Sequence, residues 1–315
     1  MHNTIPIVDL NDYRKGSSAQ KSQFVKDVGT SLAEIGFFAV INHGIDKPVI
    51  DKAYSICADF FRLNESTKRK YWNAEIKGQR GYTGFGTEHA KDHAAPDLKE
   101  FWHVGRELSA DHRLNKVYPK NVWPTEKPEF RTFMLDLYKR LEVCALDLLE
   151  ACTEYAGVKD HLFRDIAVDG NTILRLIHYP PIPETAHPES VRAAPHEDIN
   201  LITLLIEGTT SGLELKLRDG TWMPVVTPPN SIIVDSGDML QNISNGFFKS
   251  TTHRVVNPEK KSQERYSMPF FVHARGEVRL DPLTELVAKT GGKQVFPNIT
   301  ADEYLHKRLK EIGLA

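Results

Sequence analysis

Cysteine is scarce in this chain: Cys57, Cys144 and Cys152 are the only three, and no two stand in a CxxC pair. A disulfide scaffold and a Cys-rich zinc module are therefore not expected, and a reducing compartment is. No apolar run approaches the roughly 18 residues that a membrane-spanning helix needs. The first 20 residues (MHNTIPIVDLNDYRKGSSAQ) lack the apolar centre of a secretion signal. The expectation is a cytoplasmic protein with no membrane partner. Neither sign of charge is in excess: 40 Lys plus Arg face 42 Asp plus Glu, for a net charge of −2. That balance lacks the basic footprint of a nucleic-acid-binding protein. Internal repeats, low-complexity tracts and Gly/Ser-rich linkers are missing as well. What remains is a soluble globular composition, 40% hydrophobic and 26% charged over 315 residues, with ample material for a core.

Hydrophobic periodicity divides the chain into two textures. Ile5–Asp9 (IPIVD) reads as a short strand. Phe24, Val28, Leu32 and Ile35 recur at helical spacing, which predicts a helix over 20–35 ended by Gly36. Phe37–Ile41 (FFAVI) reads as a buried strand closed by Asn42-His43-Gly44, and further helices are expected over 48–62 and 128–154. In the longer one Phe130, Met134, Leu137, Leu141, Cys144 and Leu148 form the apolar stripe, so Cys144 and Cys152 are read as core residues. From about residue 170 short β-rich runs follow one another, at 172–178, 199–206, 212–217, 222–226, 231–234, 251–256, 265–273 and 277–280. Asp219-Gly220 between two of them is a hairpin signal. Strands at this spacing predict a double-sheet jelly roll or a barrel, supported by a helical N-terminal half. A helical pattern returns over 301–312.

Most of the thirteen histidines must be bystanders; the informative ones lie in the β-rich half. His196-Glu197-Asp198 stands just before the run INLITLLI. In extended chain, residues i and i+2 face the same way, so His196 and Asp198 can aim at one point while Glu197 faces away. His253, 55 residues beyond Asp198, is placed to return on another strand and complete a facial set of two His and one carboxylate. Such a set leaves adjacent positions open on a non-heme Fe(II), although spacing alone also allows zinc. Twelve residues further on, Arg265-Tyr266-Ser267 offers a guanidinium and a hydroxyl on one strand face. That pair suits the far carboxylate of a diacid, and the apolar MPFFV that follows makes a merely exposed arginine less natural there.

In this order and spacing, His196-x-Asp198, His253 and Arg265-x-Ser267 resemble the isopenicillin N synthase-like group of Fe(II)/2-oxoglutarate-dependent oxygenases. The likeness extends over IPIVDL, GFFAVINHGI, HYPP (178–181), HEDINLITLL (196–205), Gly237-Asp238-x-Leu240-Gln241, Ser244-Asn245-Gly246 and SMPFFV (267–272). It implies an α+β fold: a double-stranded β-helix (jelly-roll) core over 166–285, flanked by helices mainly from the N-terminal region 1–165, with a helical segment over 286–315. It also implies Fe(II) on His196, Asp198 and His253, with 2-oxoglutarate chelating the iron through its 1-carboxylate and 2-oxo groups. Arg265 and Ser267 would hold the 5-carboxylate, and Tyr179 would contact the cosubstrate. The Asn that the family pairs with this tyrosine is Ile177 here. Dioxygen and, as a supporting reductant, ascorbate complete the implied set. The implied reaction converts 2-oxoglutarate to succinate and CO2 while a small-molecule substrate is hydroxylated, desaturated or cyclised.

Several residues are read less specifically. Arg80–Gly86 (RGYTGFG) lacks the order of a phosphate-binding loop and is expected as a mobile segment at the barrel mouth, with Tyr82 or Phe85 on a substrate wall. One of Phe270 and Phe271 should face the pocket, and Phe271 is taken as that one. Trp102 and His103 are expected as core and edge residues. Asp235 and Asp238 are read as turn residues bonding their own backbone. Three rival functions stand beside the main one. An isopenicillin N synthase-type oxidase would not use 2-oxoglutarate; it carries a C-terminal Gln that RLKEIGLA lacks. A non-catalytic jelly-roll protein would bind a ligand or structural zinc, and a metal-dependent hydrolase would turn over without oxygen.

Overall fold

Local signals start and stop the helices of this computed structural model, which describes residues 4–87, 97–206 and 208–311. Ser17 and Gln20 form a reciprocal capping box at the head of helix Ser18–Glu34. Pro48 stands in the first turn of helix Lys47–Phe61, where a missing N–H costs nothing. Helix Pro128–Ala156 stops at Gly157, whose left-handed φ of 61° turns the chain away. Its stripe, including Cys144 and Cys152, is fully buried against the back of a large sheet.

Twelve strands stand among the described residues: β1 (Ile7–Asp9), β2 (Phe37–Ile41), β3 (Gly81–Thr83), β4 (Glu100–Gly105), β5 (Ile173–Tyr179), β6 (Ala193–His196), β7 (Ile202–Ile206), β8 (Leu213–Lys216), β9 (Trp222–Pro224), β10 (Ile232–Ser236), β11 (His253–Val255) and β12 (Arg265–Val272). Eight form the large sheet in the order β1-β2-β10-β7-β12-β5-β4-β3, and β6-β11-β8-β9 form a smaller one. All pairings except the parallel β1–β2 are antiparallel. Strand alternation sorts the side chains of β12. Tyr266, Met268, Phe270 and Val272 join the core beneath the helices, whereas Arg265, Ser267, Pro269 and Phe271 line a cavity shared with the smaller sheet. The jelly-roll core expected from the strand spacing is therefore present.

The N-terminal half does more than support that core. Its strands β1 and β2 form one edge of the large sheet, and β4 and β3 form the other. The Arg80–Gly86 stretch, expected as a mobile segment at the mouth, instead contains β3, whose three residues are buried. Tyr82 sits in the core at 0% exposure with its hydroxyl donated to Glu100, so it is not a wall of the cavity. The reason is pairing: β4 offers β3 a free edge, and buried Glu100 gives the phenol an acceptor. The run at 277–280 is not a strand but a single bridge, Arg279 to Thr300. Asp219-Gly220 does make the β8–β9 turn, with Gly220 at φ 86° and the Asp219 carboxylate accepting the Thr221 N–H.

His273, just past β12, is buried with Nδ1 against the Phe271 carbonyl oxygen at 3.0 Å. Burial pushes its imidazole pKa down to about 4. Between the ordinary histidine value and about 4, the unfolded chain takes up a proton that the folded one refuses. Folding stability is therefore expected to fall by up to about 3 kcal/mol as pH drops through that window. Urea unfolding at a series of pH values should show this decline. His273→Gln should flatten it, and an unaltered slope in the variant would remove His273 as its source.

Candidate metal and cosubstrate site

β6 and β11 pair with His253 directly opposite His196, which brings the two ring centroids to 4.5 Å. Asp198 follows two residues after His196. Its Oδ1 lies 3.8 Å from His196 Nε2 and 3.7 Å from His253 Nε2. One ligand atom from each residue lies within 4.8 Å of the others. The backbone sets the tautomers. His196 Nδ1 lies 2.7 Å from the Ala194 carbonyl oxygen and His253 Nδ1 lies 3.1 Å from that of Thr251. A carbonyl can only accept, so each Nδ1 carries the hydrogen and each Nε2 lone pair is left facing the common point. Burial, then the neighbouring His253, lower the His196 pKa, which keeps that nitrogen unprotonated.

The carboxylate is held just as firmly. Thr203 donates its hydroxyl to Asp198 Oδ2 and accepts the Asn200 side-chain N–H at 2.9 Å. The Asp198 carbonyl accepts the Asp238 N–H at 2.8 Å. Asp97 accepts the Ala194 N–H at 3.1 Å and pairs with Lys99 Nζ at 2.7 Å, so the chain entering β4 fixes the strand that carries His196.

Two aspartates differ from expectation. Asp235 lies opposite Thr203 in the β10–β7 pairing, bonds its side chain, and lines the cavity. Burial, then the nearby Asp198 charge, raise its pKa well above the ordinary aspartate value, and it is a cavity-lining residue rather than a turn residue. Asp238 accepts the Tyr304 hydroxyl at 3.0 Å and lies 3.5 Å from an Arg308 nitrogen. It ties down helix Ala301–Glu311 instead of bonding its own backbone.

At the other end of the cavity, Arg265 and Ser267 share the inward face of β12, and Tyr179 is the cross-strand partner of Arg265. The Arg265 guanidinium is buried, 5.1 Å above the Tyr179 ring, with Nε donating to the Thr210 carbonyl at 3.0 Å. Its NH1 has no hydrogen-bond partner among the described residues. A buried cation with an unsatisfied donor is costly unless an anion completes it. A Cβ on Gly208 would lie 2.5 Å from Arg265 NH2, so a glycine there leaves the guanidinium its room. Arg192, unremarked in the sequence, faces Tyr179 from 5.8 Å. Ile177, opposite Ser267, puts an alkyl group where the family has an amide. Phe271 lines the cavity; Phe85, 41% exposed, does not. Lys99 and Arg175 do line it, and neither was singled out from sequence. Lys99 immediately precedes the strand EFWHVG, and Arg175 lies in ILRLIHY, where the period-two alternation of β5 aims it inward with Ile177 and Tyr179.

Comparison with known proteins fits this geometry. Residues 170–274 match the model of the 2OG-Fe(II) oxygenase superfamily, and residues 5–126 match that of the non-haem dioxygenase in morphine synthesis N-terminal region. Protein DMR6-LIKE OXYGENASE 2 of Arabidopsis thaliana is 31% identical over 96% of this chain and 83% of its own length. A Caulobacter crescentus structure described as a 2OG-Fe(II) oxygenase family protein is 38% identical, with TM-score 0.86 and 98% of each chain covered. A full-length Neurospora crassa protein solved with alpha-KG and thymine is 27% identical, with TM-score 0.86 and 97% and 96% covered. The chain belongs to the 2OG-Fe(II) oxygenase superfamily. It is an Fe(II)- and 2-oxoglutarate-dependent dioxygenase, which sets aside the oxidase, binding-protein and hydrolase alternatives.

Gly237 marks the tightest approach in this region. A Cβ there would lie 2.3 Å from both the backbone oxygen and Oδ1 of Asn200, and 2.8 Å from the Asp198 carbonyl oxygen. Gly237→Ala is therefore expected to destabilise the fold by about 1–3 kcal/mol through displacement of backbone that cannot yield. Urea unfolding measures this, and an unchanged midpoint would mean the loop has slack.

Proposed function

We propose that His196, Asp198 and His253 hold the Fe(II), and that Arg265 and Ser267, with Tyr179 beside them, hold the 5-carboxylate of 2-oxoglutarate. The substrate of this reading is a small organic molecule. The observation that carries it is the presence, in one cavity, of three convergent ligand atoms and a buried guanidinium with an unsatisfied N–H. The donor set fits the metal: two imidazole nitrogens and one carboxylate oxygen are the ligand types that a non-heme Fe(II) would take here. The bound iron, with 2-oxoglutarate and dioxygen, supplies oxidation of a C–H bond: one oxygen atom enters the substrate and the other enters succinate, with CO2 released.

The side chains have distinct parts in this. The Ala194 and Thr251 carbonyls keep both imidazoles in the ligating tautomer. Thr203 keeps one Asp198 oxygen occupied and so directs the other at the metal. Arg265 and Ser267 fix the far end of the cosubstrate, and the apolar side chains of Leu205, Leu213, Val255 and Phe271 keep water from the reacting centre. Among the relatives, the Neurospora protein bound to thymine supports a small-molecule substrate. No helix among the described residues is long and apolar enough to cross a membrane, and the three cysteines are buried free thiols; a cytoplasmic setting is consistent with both.

His196→Ala and Asp198→Ala are each expected to abolish conversion of 2-oxoglutarate to succinate; a fully active variant would end the assignment. Arg265→Ala, which removes charge-assisted hydrogen bonds, should raise the KM for 2-oxoglutarate by about a hundred-fold. Steady-state kinetics read this, and an unchanged KM would return Arg265 to a purely structural part.

A further inference from the structure

Two buried guanidiniums stand around the Tyr179 ring. The Arg265 guanidinium carbon lies 5.1 Å from the ring centre and that of Arg192 lies 5.8 Å from it. Arg192 immediately precedes β6 and is 1% exposed. Asn257 pins its backbone: Oδ1 accepts the Arg192 N–H at 3.1 Å, and Nδ2 donates to the Ser190 carbonyl at 3.0 Å. The side chain reaches the segment that enters β12, where its NH2 donates to the Gln263 carbonyl oxygen, two residues before Arg265. The last residue of β5 and the starts of β6 and β12 thus meet at one phenol ring.

Bracing alone does not account for the charge in this arrangement. Among the described residues, the side-chain acceptors of the two arginines are backbone carbonyl oxygens, that of Gln263 for Arg192 and that of Thr210 for Arg265. Arg192 Nε and Arg265 NH1 have no hydrogen-bond partner there. Burial, then the charge of Arg265, lower the Arg192 pKa, so the two cations feel each other. A neutral donor could tie residue 192 to residue 263 without that penalty, because a buried cation without a counter-charge is costly. One anion within the field of both guanidiniums offsets it. Tyr179, Arg265 and Ser267 line the cavity, and Arg192 stands outside that lining. Its influence on an anion in the cavity therefore runs through its charge and through the Tyr179 ring, since Coulomb attraction extends beyond hydrogen-bond range.

We propose that Arg192 is a positioning residue for the distal carboxylate of 2-oxoglutarate. It steadies the Tyr179 ring and adds a second positive charge to the Arg265 subsite, which raises the preference for a diacid over a 2-oxo acid with a neutral end. This rests on the iron and 2-oxoglutarate reading above and adds to it a residue outside the Arg265-x-Ser267 pair.

The test is an anaerobic titration of the full chain loaded with Fe(II), with the iron–2-oxo acid charge-transfer band reporting binding. 2-Oxoglutarate is compared with 2-oxohexanoate, which keeps the chelating end and carries an uncharged alkyl end. Arg192→Gln is expected to weaken 2-oxoglutarate about ten-fold and to leave 2-oxohexanoate unchanged. Arg192→Lys, which keeps the charge, should stay within about three-fold of the wild type for both ligands. Arg265→Gln should weaken 2-oxoglutarate by about a hundred-fold. Arg131→Gln, on an exposed arginine paired with Glu107, is the control and should match the wild type. Equal weakening of both ligands in Arg192→Gln would make the residue a brace, and no weakening of either would make it a bystander; both results overturn the proposal, as does a loss in Arg192→Lys as large as in Arg192→Gln. Should Arg192→Gln fail to fold, Arg192→Met, equally neutral, takes its place in the comparison. If the wild type gives no band with either ligand, or if Arg265→Gln leaves the preference for 2-oxoglutarate intact, the underlying reading falls and takes this inference with it. A preference lost in Arg265→Gln and kept in Arg192→Gln sinks this inference alone.

Discussion

Pairing of two very short strands governs the site. β6 and β11 have four and three residues, yet they set His196 against His253 and leave Asp198 at the turn beyond. Burial, then the nearby His253 ring, lower the His196 pKa, and the backbone carbonyls at both Nδ1 atoms turn the two Nε2 atoms inward. Such short strands would hold register poorly alone. Asp97 grips the β6 backbone, Phe37 packs its ring edge-on to His253 at 5.4 Å, and Gly237 lets the turn before Asp238 close onto Asp198. Residues from widely separated parts of the sequence thus lock one constellation.

Charge is distributed so that the cavity can accept anions without collapsing. Burial, then the neighbouring Asp198 carboxylate, push the Asp235 pKa well up, because two buried negative charges side by side are mutually costly. Two of the cations that line the cavity lie against aromatic rings: Arg265 over Tyr179, and Arg175 near Phe101 and Phe271. Aromatic faces partly offset the lost hydration of both guanidiniums.

Much of this was legible in the sequence, for identifiable reasons. Helix Pro128–Ala156 and strand β2 are announced by unbroken apolar periodicity, and burial follows from it directly. His196, Asp198 and His253 drew notice because an i, i+2 pair on extended chain has only one geometric meaning. Arg265 and Ser267 share that logic, and the alternation of β12 does place them on the inward face with Phe271. Tyr82 misled because the glycines crowded around it suggest mobility, whereas β3 is fixed by its neighbour β4. Asp235, Arg192 and Arg175 escaped because their meaning depends on cross-strand register: which residue lies opposite is decided by how distant strands align. Alternation along IIVDS could have shown that Asp235 faces inward with Ile233, but not that Thr203 and Asp198 wait there.

Anomalous diffraction from crystals of the protein grown anaerobically with Fe(II) and 2-oxoglutarate tests the central claim most directly. The account predicts one iron peak at roughly 2.0–2.3 Å from His196 Nε2, an Asp198 carboxylate oxygen and His253 Nε2, with the distal carboxylate of 2-oxoglutarate on Arg265 and Ser267. An iron bound elsewhere, or one that leaves any of the three residues outside its coordination shell, would contradict it.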